Sequence, residues 1–388
     1  MKVLVGICGS IAAYKTLELI RRLKKEGAEV KVILTKSALE FVTPLSCQTL
    51  SENEVYIDQF VLTKGIKHLT LSEWADIFVI APASANIIGK AVSGIADDLL
   101  SSTIVSFQKP VLFVPAMDQG MWQNKIVKKN VATLMTCQYH FLEPITGPLA
   151  SGKIGKGRFP PVLLIYKKII TILEQARPLN AKKLLIVGGR TEEDVDQVRV
   201  ITNRSSGMMA RELIDAVICR GGLVKSILGP TTIPFTEGLT SVLTRTSGEM
   251  LEAIISNVTW CDCLIMAAAV GDYRPKSKSQ TKIHRQEFSL VLEKNQDLLK
   301  MVRKYKQKRV FVGFSLEDKD TAKRAREKLT AKKLDFIVLN RVSAIGNEEV
   351  TAEIMGENGK ITNLGRISKW RLANRILDKC IDALTKEK

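Results

Sequence analysis

Two short loops carry the residue types best suited to chemistry. One reads Pro82-Ala-Ser-Ala-Asn86 and the other Pro115-Ala-Met-Asp118. Each follows an apolar run of strand length, residues 77–80 and 111–114. In an open parallel sheet, ligands bind just beyond the carboxyl ends of the strands. Hydroxyl, amide and carboxylate groups placed there suit a flat polar ligand. The same residues are common turn formers, so spacing alone leaves both readings open. A third loop, Gly6-Ile-Cys-Gly9-Ser10, lacks the G-x-G-x-x-G spacing of a dinucleotide fingerprint. It still offers backbone N–H groups and a hydroxyl at a helix start, a natural phosphate seat. Ser205-Ser-Gly207 repeats that arrangement later in the chain, and Thr35-Lys-Ser37 adds hydroxyls to the first group. His68, before a Leu-rich segment and Trp74-Ala-Asp76, is by position more often a surface or capping residue than a catalyst.

The elements that must position these loops follow from apolar periodicity. Residues 2–8 read as a strand, 11–25 as a helix stopped by Gly27, and 29–34 as a second strand. That unit opens a doubly wound α/β domain. Residues 85–107 read as one helix and 161–174 as another. Between them, residues 146–157 hold four glycines and two lysines, which suggests a mobile loop serving as a connector or as a lid over the pocket. Ala176-Arg-Pro-Leu-Asn180 marks the best boundary, giving domains 1–178 and 179–388. The second domain repeats the α/β pattern. Its strands fit 184–187, 224–228, 263–267, 288–292, 310–314 and 336–339, and its helices fit 208–220, 247–257, 297–305 and 321–332. A hairpin turns at Gly356-Glu-Asn-Gly359, and Ser368 caps a last amphipathic helix. The fold class expected is α/β, with two doubly wound, Rossmann-like domains.

The chain has 388 residues, 45% of them hydrophobic, enough for two or three well-buried cores. No apolar run reaches the length of a membrane span, and no signal peptide is expected. Seven cysteines without paired metal-type spacing fit reduced thiols and a cytoplasmic location. The net charge of +18 gathers at residues 300–309 and 319–333. It suits anionic small substrates. Nucleic acid is not expected, because no aromatic-rich binding motif accompanies the charge and the basic residues lie on amphipathic helices.

Eleven stretches together resemble one family: GSIAAYK (9–15), TPLS (43–46), WAD (74–76), APASAN (81–86), PAM with MW (115–122), GKGR (155–158), DQVRVITNRSSG (196–207), AAAVGDYRP (267–275), KNQDLL (294–299), VGF (312–314) and LDFIVLN (334–340). The chain is similar to the bifunctional flavoprotein of coenzyme A biosynthesis, in which a phosphopantothenoylcysteine decarboxylase is joined to a phosphopantothenate–cysteine ligase. The resemblance implies a flavodoxin-like FMN domain followed by a nucleotide-binding ligase domain. Gly9, Ser10 and Ala12 then seat the FMN phosphate, and Thr35, Ser84, Ala85 and Asn86 contact the rest of the cofactor. His68 matches the catalytic histidine. FMN oxidises the cysteine moiety of the substrate to a thioaldehyde, an electron sink that lets the neighbouring carboxylate leave as CO₂. In the second domain the resemblance implies CTP as co-substrate and Mg²⁺. 4′-Phosphopantothenate forms an acyl-cytidylate that the cysteine amine resolves. Asn203 and Lys282 match the functional residues of that step, Asp272 and Phe314 match nucleotide-site positions, and Lys332 with Lys333 neutralise triphosphate charge. The family also implies a homo-oligomer, with trimeric flavin domains and dimeric ligase domains.

The sequence departs from the family pattern at identifiable points. Met117 is kept in the PAM loop, but Asp118 stands where the family has Asn. An ionised Asp has no donor for a substrate carboxylate, so serving in place of the amide requires a protonated Asp with a raised pKa. Ser151 falls at the position of the family's proton-donating Cys, and a hydroxyl is the weaker acid. In the second domain Met208, Gly271, Gln296 and Arg341 replace Lys, Ala, Pro and Asp. The departures at Asp118 and Ser151 motivate an alternative, an active ligase carrying an FMN-binding domain whose decarboxylase is weak or inactive.

Overall fold

The first strand, β1 (Lys2–Ile7), is buried along all but its first residue. It lies in the middle of a sheet built with β2 (Glu29–Leu34), β3 (Val55–Tyr56), β4 (Ile77–Ala83), β5 (Val111–Pro115) and β6 (His140–Phe141), in the order β3-β2-β1-β4-β5-β6. Every pairing is parallel. The chain moves outward to one side through β2 and β3, then returns past β1 to build β4, β5 and β6. That reversal between β1 and β4 is the topological switch point. All seven residues of β4 are buried, as expected of a parallel strand covered on both faces.

Helix α1 (Ala13–Lys25) follows β1 and buries Ala13, Thr16, Leu19, Ile20 and Leu23, one stripe at helical spacing. Then come α2 (Pro44–Ser51), α3 (Lys67–Trp74), α4 (Ala85–Ser93) and α5 (Leu99–Ser106). The single helix expected over 85–107 is therefore two. Gly94 adopts φ +66 at the end of α4, and a capping box between Asp98 and Ser101 starts α5. After β5 come α6 (Gln119–Gln123), α7 (Lys125–Thr136), the antiparallel strands β7 (Ile145–Pro148) and β8 (Ile154–Arg158), and α8 (Val162–Leu173). The expected mobile loop at 146–157 is thus largely a hairpin. The computed structural model describes residues 1–60, 66–235, 239–283, 288–316, 321–340 and 347–386. Arg341 lies outside them.

Chain contacts divide the protein into Met1–Ala176 and Arg177–Lys388. The second unit starts with β9 (Lys183–Gly188), followed by the small antiparallel pair β10 (Glu192–Asp194) and β11 (Val200–Thr202), α9 (Met208–Cys219), β12 (Leu223–Leu228), β13 (Ser241–Leu243), α10 (Ser247–Asn257) and β14 (Cys263–Met266). A second small pair, β15 (Tyr273–Pro275) and β16 (Leu292–Lys294), stands apart from the main sheet. The strand expected at 288–292 is thus shorter and shifted toward 294. Then follow α11 (Leu298–Val302), β17 (Val310–Leu316), α12 (Thr321–Lys332), β18 (Phe336–Asn340), β19 (Glu349–Gly356), β20 (Ile361–Ser368) and α13 (Lys369–Lys386). The main sheet runs β13-β12-β9-β14-β17-β18-β19-β20. It is parallel as far as β18 and ends in the antiparallel hairpin β19–β20. Its switch point lies between β9 and β14. Apolar cores cover the two faces, one with α9 and α13 and the other with α10, α11 and α12.

Candidate functional site

In the first unit the loops after β1, β2, β4 and β5 meet along one edge of the sheet. Gly9 has no room for a side chain: a Cβ would lie 2.6 Å from Ser37 Cβ. The turn after β1 is thereby pressed against the turn after β2. Thr35 is tied to β1 through its N–H and its hydroxyl, at 3.1 and 3.3 Å from the Ile7 carbonyl oxygen. Ser10 Oγ accepts from Ala12 N–H at 3.3 Å and donates to the Ala116 carbonyl at 3.5 Å, which joins the turn after β1 to the loop after β5. Helix α1 starts at Ala12 with no side-chain cap and no acidic residue in its first turn. Its dipole end is left for an anion. Ser84 caps α4 by accepting from Ile87 N–H at 3.4 Å. Ala85 begins that helix, and Asn86 is exposed beside it. The donor set and the cradle around Gly9 fit a flavin phosphate and its polar ring edge.

The loop after β5 is held from below by Trp122. Its side chain is fully buried, and its backbone N–H donates to the Asp118 carbonyl at 3.0 Å. From above it is covered by the β7–β8 hairpin. Met117 N–H donates to the Gly157 carbonyl at 3.1 Å, and Lys156 N–H donates to Gln119 Oε1 at 3.0 Å. Gly155 and Gly157, both buried, are the strand positions facing this loop, and a Cβ at either would overlap residues 117–119. Gly155 and Gly157 thus serve close approach rather than looseness. At the hairpin tip Ser151 Oγ donates to Asp118 Oδ2 at 3.1 Å, while Gly120 N–H donates to Asp118 Oδ1 at 2.8 Å. The Gly120 N–H, and after it the Ser151 hydroxyl, hold the Asp118 carboxyl below its ordinary range, and Lys153 adds to the effect. The raised pKa that an amide-like role requires is not met: the Asp118 carboxylate accepts from both groups. His68 sits half-buried on the first turn of α3, where its carbonyl accepts from Ser72 Oγ at 2.7 Å. Among the described residues no hydrogen bond links its side chain to the strand-end loops.

The second unit holds a cavity of about 770 Å³ at the carboxyl ends of β14, β17 and β18. Gly207, at φ +83, starts α9 and packs against Thr231, and Ser206 Oγ accepts from Met208 N–H at 3.3 Å. Asn203 donates to the Ala269 carbonyl at 3.2 Å. Gly271 N–H donates to Thr191 Oγ1 at 2.9 Å, and Asn295 Nδ2 donates to the Gly271 carbonyl at 2.8 Å. The wall at 269–272 is thereby clamped from three sides. Asn203, Asp272, Phe314 and Lys332 all line the cavity, as do Met208, Gly271 and Gln296. Lys332 pairs with Asp297 at 3.0 Å.

Lys333 and Lys282 are not among the lining residues. Lys332 is the last residue of α12, and Lys333 turns out of the helix with φ +53, so the two do not continue one helical face. Lys328, one turn before Lys332, lines the cavity instead and donates to Ser315 Oγ at 3.0 Å. The i, i+4 spacing of two lysines was the signal for it. Lys282 is exposed, on a loop anchored by Asp196. That carboxylate accepts from the N–H groups of Ile283, Val198 and Arg199 and from the Arg199 guanidinium. Ile283 N–H is the foremost of the contacts that drive its pKa far below the usual carboxylate range. Among the described residues no group of three His, Cys, Asp or Glu side chains is placed to hold a metal ion, and no helix is long and apolar enough to cross a membrane.

Two doubly wound α/β units, each with polar loops and a helix start at its switch point, define a two-domain protein of the open-sheet, ligand-binding class. The flavoprotein family model matches residues 1–174, and the C-terminal domain model of DNA/pantothenate metabolism flavoproteins matches 179–384. The coenzyme A biosynthesis bifunctional protein CoaBC of Bacillus subtilis (strain 168) is 37% identical over 99% of this chain and 97% of its own. That of Vibrio vulnificus (strain YJ016) is 36% identical over 89% of this chain and 88% of its own. A crystal structure of the C-terminal domain of a CoaBC protein is 30% identical, covers 54% of this chain and 98% of that one, and superposes with a TM-score of 0.48. The chain belongs to the family of bifunctional coenzyme A biosynthesis flavoproteins. It is accordingly an enzyme with a decarboxylase half and a ligase half, and a match over the full length of such relatives disfavours a ligase with an idle flavin domain.

Proposed function

We propose that the second unit joins cysteine to 4′-phosphopantothenate at the expense of CTP, and that the first decarboxylates the phosphopantothenoylcysteine so formed to 4′-phosphopantetheine. The observation that carries this reading is the presence in one chain of two different switch-point sites. One has an uncapped helix start beside hydroxyl-lined loops. The other is a cavity with an amide at one wall and lysines at another.

In the first unit, Gly9, Ser10 and Ala12 hold the phosphate of FMN at the start of α1. Thr35, Ser84, Ala85 and Asn86 border the rest of the cofactor. When bound, FMN would supply the two-electron oxidation of the substrate that makes CO₂ loss possible and the compensating two-electron reduction of the decarboxylated product, so that the net reaction is redox-neutral. His68 moves the substrate proton. Met117 and Asp118 form the substrate wall. Since Asp118 is ionised and satisfied by Gly120 and Ser151, it anchors the hairpin tip rather than donating to a substrate carboxylate. Lys153 on the same tip offsets its charge. Ser151 holds the tip in place. A hydroxyl is a far weaker acid than a thiol of pKa about 8.5, so the last proton is delivered more slowly here than a thiol would deliver it.

In the second unit, Asn203 presents an amide N–H where oxyanion charge develops as the acyl-cytidylate forms. Asp272 and Phe314 border the nucleotide. Lys328 and Lys332 face the triphosphate, Lys333 stands behind them, and Lys282 reaches in on its loop. Mg²⁺ would come with the triphosphate, neutralising its charge, and Asp272 and Asp297 are carboxylates of the cavity wall that could hold it. A homo-oligomer, trimeric through flavin units and dimeric through ligase units, accompanies this reading. Exposed Ile11 and Tyr14 beside the phosphate seat support a pocket completed by a second copy.

The test is direct. The purified protein with 4′-phosphopantothenate, cysteine, CTP and Mg²⁺ should release CMP, pyrophosphate and CO₂ and leave 4′-phosphopantetheine. Failure to form CMP refutes the ligase assignment. Accumulation of phosphopantothenoylcysteine without CO₂ refutes the assignment of the first unit.

A further inference from the structure

We infer that Asn295 is a specificity-determining residue of the nucleotide cavity, its Oδ1 accepting a hydrogen bond from an N–H or O–H group on the nucleoside part of the ligand. This deepens the ligase reading and rests on it. Asn295 follows β16 and is only 9% exposed. Its amide orientation is fixed by its neighbours. Nδ2 lies 2.8 Å from the Gly271 carbonyl oxygen and 3.5 Å from Glu193 Oε1. Both are acceptors, and Glu193 Oε1 also accepts from Ser247 N–H at 2.9 Å. Turning the amide over would set Oδ1 against a carbonyl and a carboxylate. The NH₂ therefore faces the wall, and Oδ1 is left over.

Among the described residues Oδ1 has no partner, and it is buried. Buried acceptors are rarely left so, and Asn295 belongs to the lining of the 770 Å³ cavity. A ligand in that cavity can supply the missing donor. Phosphate oxygens cannot, because they only accept. They are suited instead to Lys328, Lys332 and the start of α9, all of which border the same cavity. Of the nucleotide's own groups, what remains is a donor on the nucleoside, either an exocyclic amino group of the base or a ribose hydroxyl. Asn295 thus holds the 271 wall with one end of its amide and reads the ligand with the other.

The experiment compares dissociation constants of CTP, UTP, 2′-deoxyCTP and 3′-deoxyCTP by calorimetry for the full-length wild type, Asn295→Ala and Asn295→Ser. The Ser variant keeps a hydroxyl able to donate toward the wall but places no acceptor at the Oδ1 position. It decides the question should the Ala variant fail to give a normal melting transition. The wild type should prefer CTP over at least one comparator by a factor on the order of ten or more, and the variants should bring that ratio close to one. Collapse of the CTP/UTP ratio identifies the base amino group as the donor. Collapse of a deoxy ratio identifies a ribose hydroxyl. Ratios that survive in the variants, or a wild type that does not discriminate, overturn the role of Asn295 while leaving the ligase reading intact. A wild type that binds no nucleoside triphosphate overturns both.

Discussion

Gly157→Ala should uncouple the two activities. Gly157 lies on β8 with its open side against the loop after β5, and a methyl there lands well inside 3.0 Å of the Met117 carbonyl oxygen, where ordinary contact begins at 3.4 Å. The obstacle is backbone, so the hairpin itself must retreat. Retreat also breaks the 3.1 Å bond from Met117 N–H to the Gly157 carbonyl. Overpacking of this kind costs about 1–3 kcal/mol and the lost bond about 1 kcal/mol, roughly 2–4 kcal/mol together. For a unit of this size that corresponds to a fall of about 4–16 °C in its melting temperature. Decarboxylation should drop by at least an order of magnitude, because Ser151 and Lys153 leave Asp118 with the hairpin. CMP release by the second unit should not change. Gly152→Ala is the control: Gly152 sits at the same tip with φ +79 and nothing within 4 Å, so it incurs only backbone strain of about 1–2 kcal/mol and leaves the 117–157 contact in place. A Gly157→Ala protein that melts and decarboxylates like the wild type would refute the account of the hairpin as a close-packed cover.

Three further outcomes follow from the sites. The Asp118 carboxyl is depressed, chiefly by the Gly120 N–H and then by Ser151, so its bond to the tip is present above the ordinary carboxylate pKa of about 3.9 and is lost only as pH falls through the lower folded value. Amide exchange at residues 149–153 should therefore be unaffected by Asp118 between pH 5 and 8 and should quicken in Ser151→Ala; equal protection in that variant rejects the latch. Lys328→Ala and Lys332→Ala should each raise the KM for CTP about tenfold or more, a loss of about 1.4 kcal/mol, whereas Lys333→Ala should change it less than threefold. Equal effects at 332 and 333 would contradict the face assignment. Asp196→Ala removes the acceptor for Ile283 N–H; ligation should fall severalfold with decarboxylation untouched, and undiminished ligation would show that the 282 loop does not depend on Asp196.

The fold was legible in the sequence because buried parallel strands are continuous apolar runs bounded by turn residues, and both units are built from them. The stretches at 77–80 and 111–114 became interior strands of one sheet, and 184–187 and 310–314 became interior strands of the other. Legibility failed where one residue's meaning depends on a partner distant in sequence. Glycine at 155 and 157 reads as looseness, yet each is there because residues 117–119 come within contact. Gly94 and the Asp98 capping box broke a helix that apolar content alone had kept whole. Asn295 carried no local mark at all; only the Gly271 carbonyl and Glu193, brought to it by the second sheet, decide which way its amide points.

Asp118 and Ser151 make the same point for chemistry. Taken one at a time, each is a loss: a carboxylate in place of a donor, a hydroxyl in place of an acid. They are 33 residues apart, and nothing local relates them. Folded, the acceptor gained at one is met by the donor kept at the other, with Gly120 N–H satisfying the second oxygen. If the pair is one unit, its members should not be separable. Asp118→Asn alone leaves Ser151 facing an amide that can turn either oxygen or NH₂ toward it, and Ser151→Cys alone sets a thiol against a carboxylate that opposes its ionisation. Each single change should therefore decarboxylate no faster than the wild type. The double change, which removes the carboxylate and supplies the stronger acid together, should be faster than either, with a coupling of about 1 kcal/mol or more in a double-mutant cycle on kcat/KM. Additive effects would mean that the two positions act independently, and the 3.1 Å bond between them would then be without consequence for the reaction.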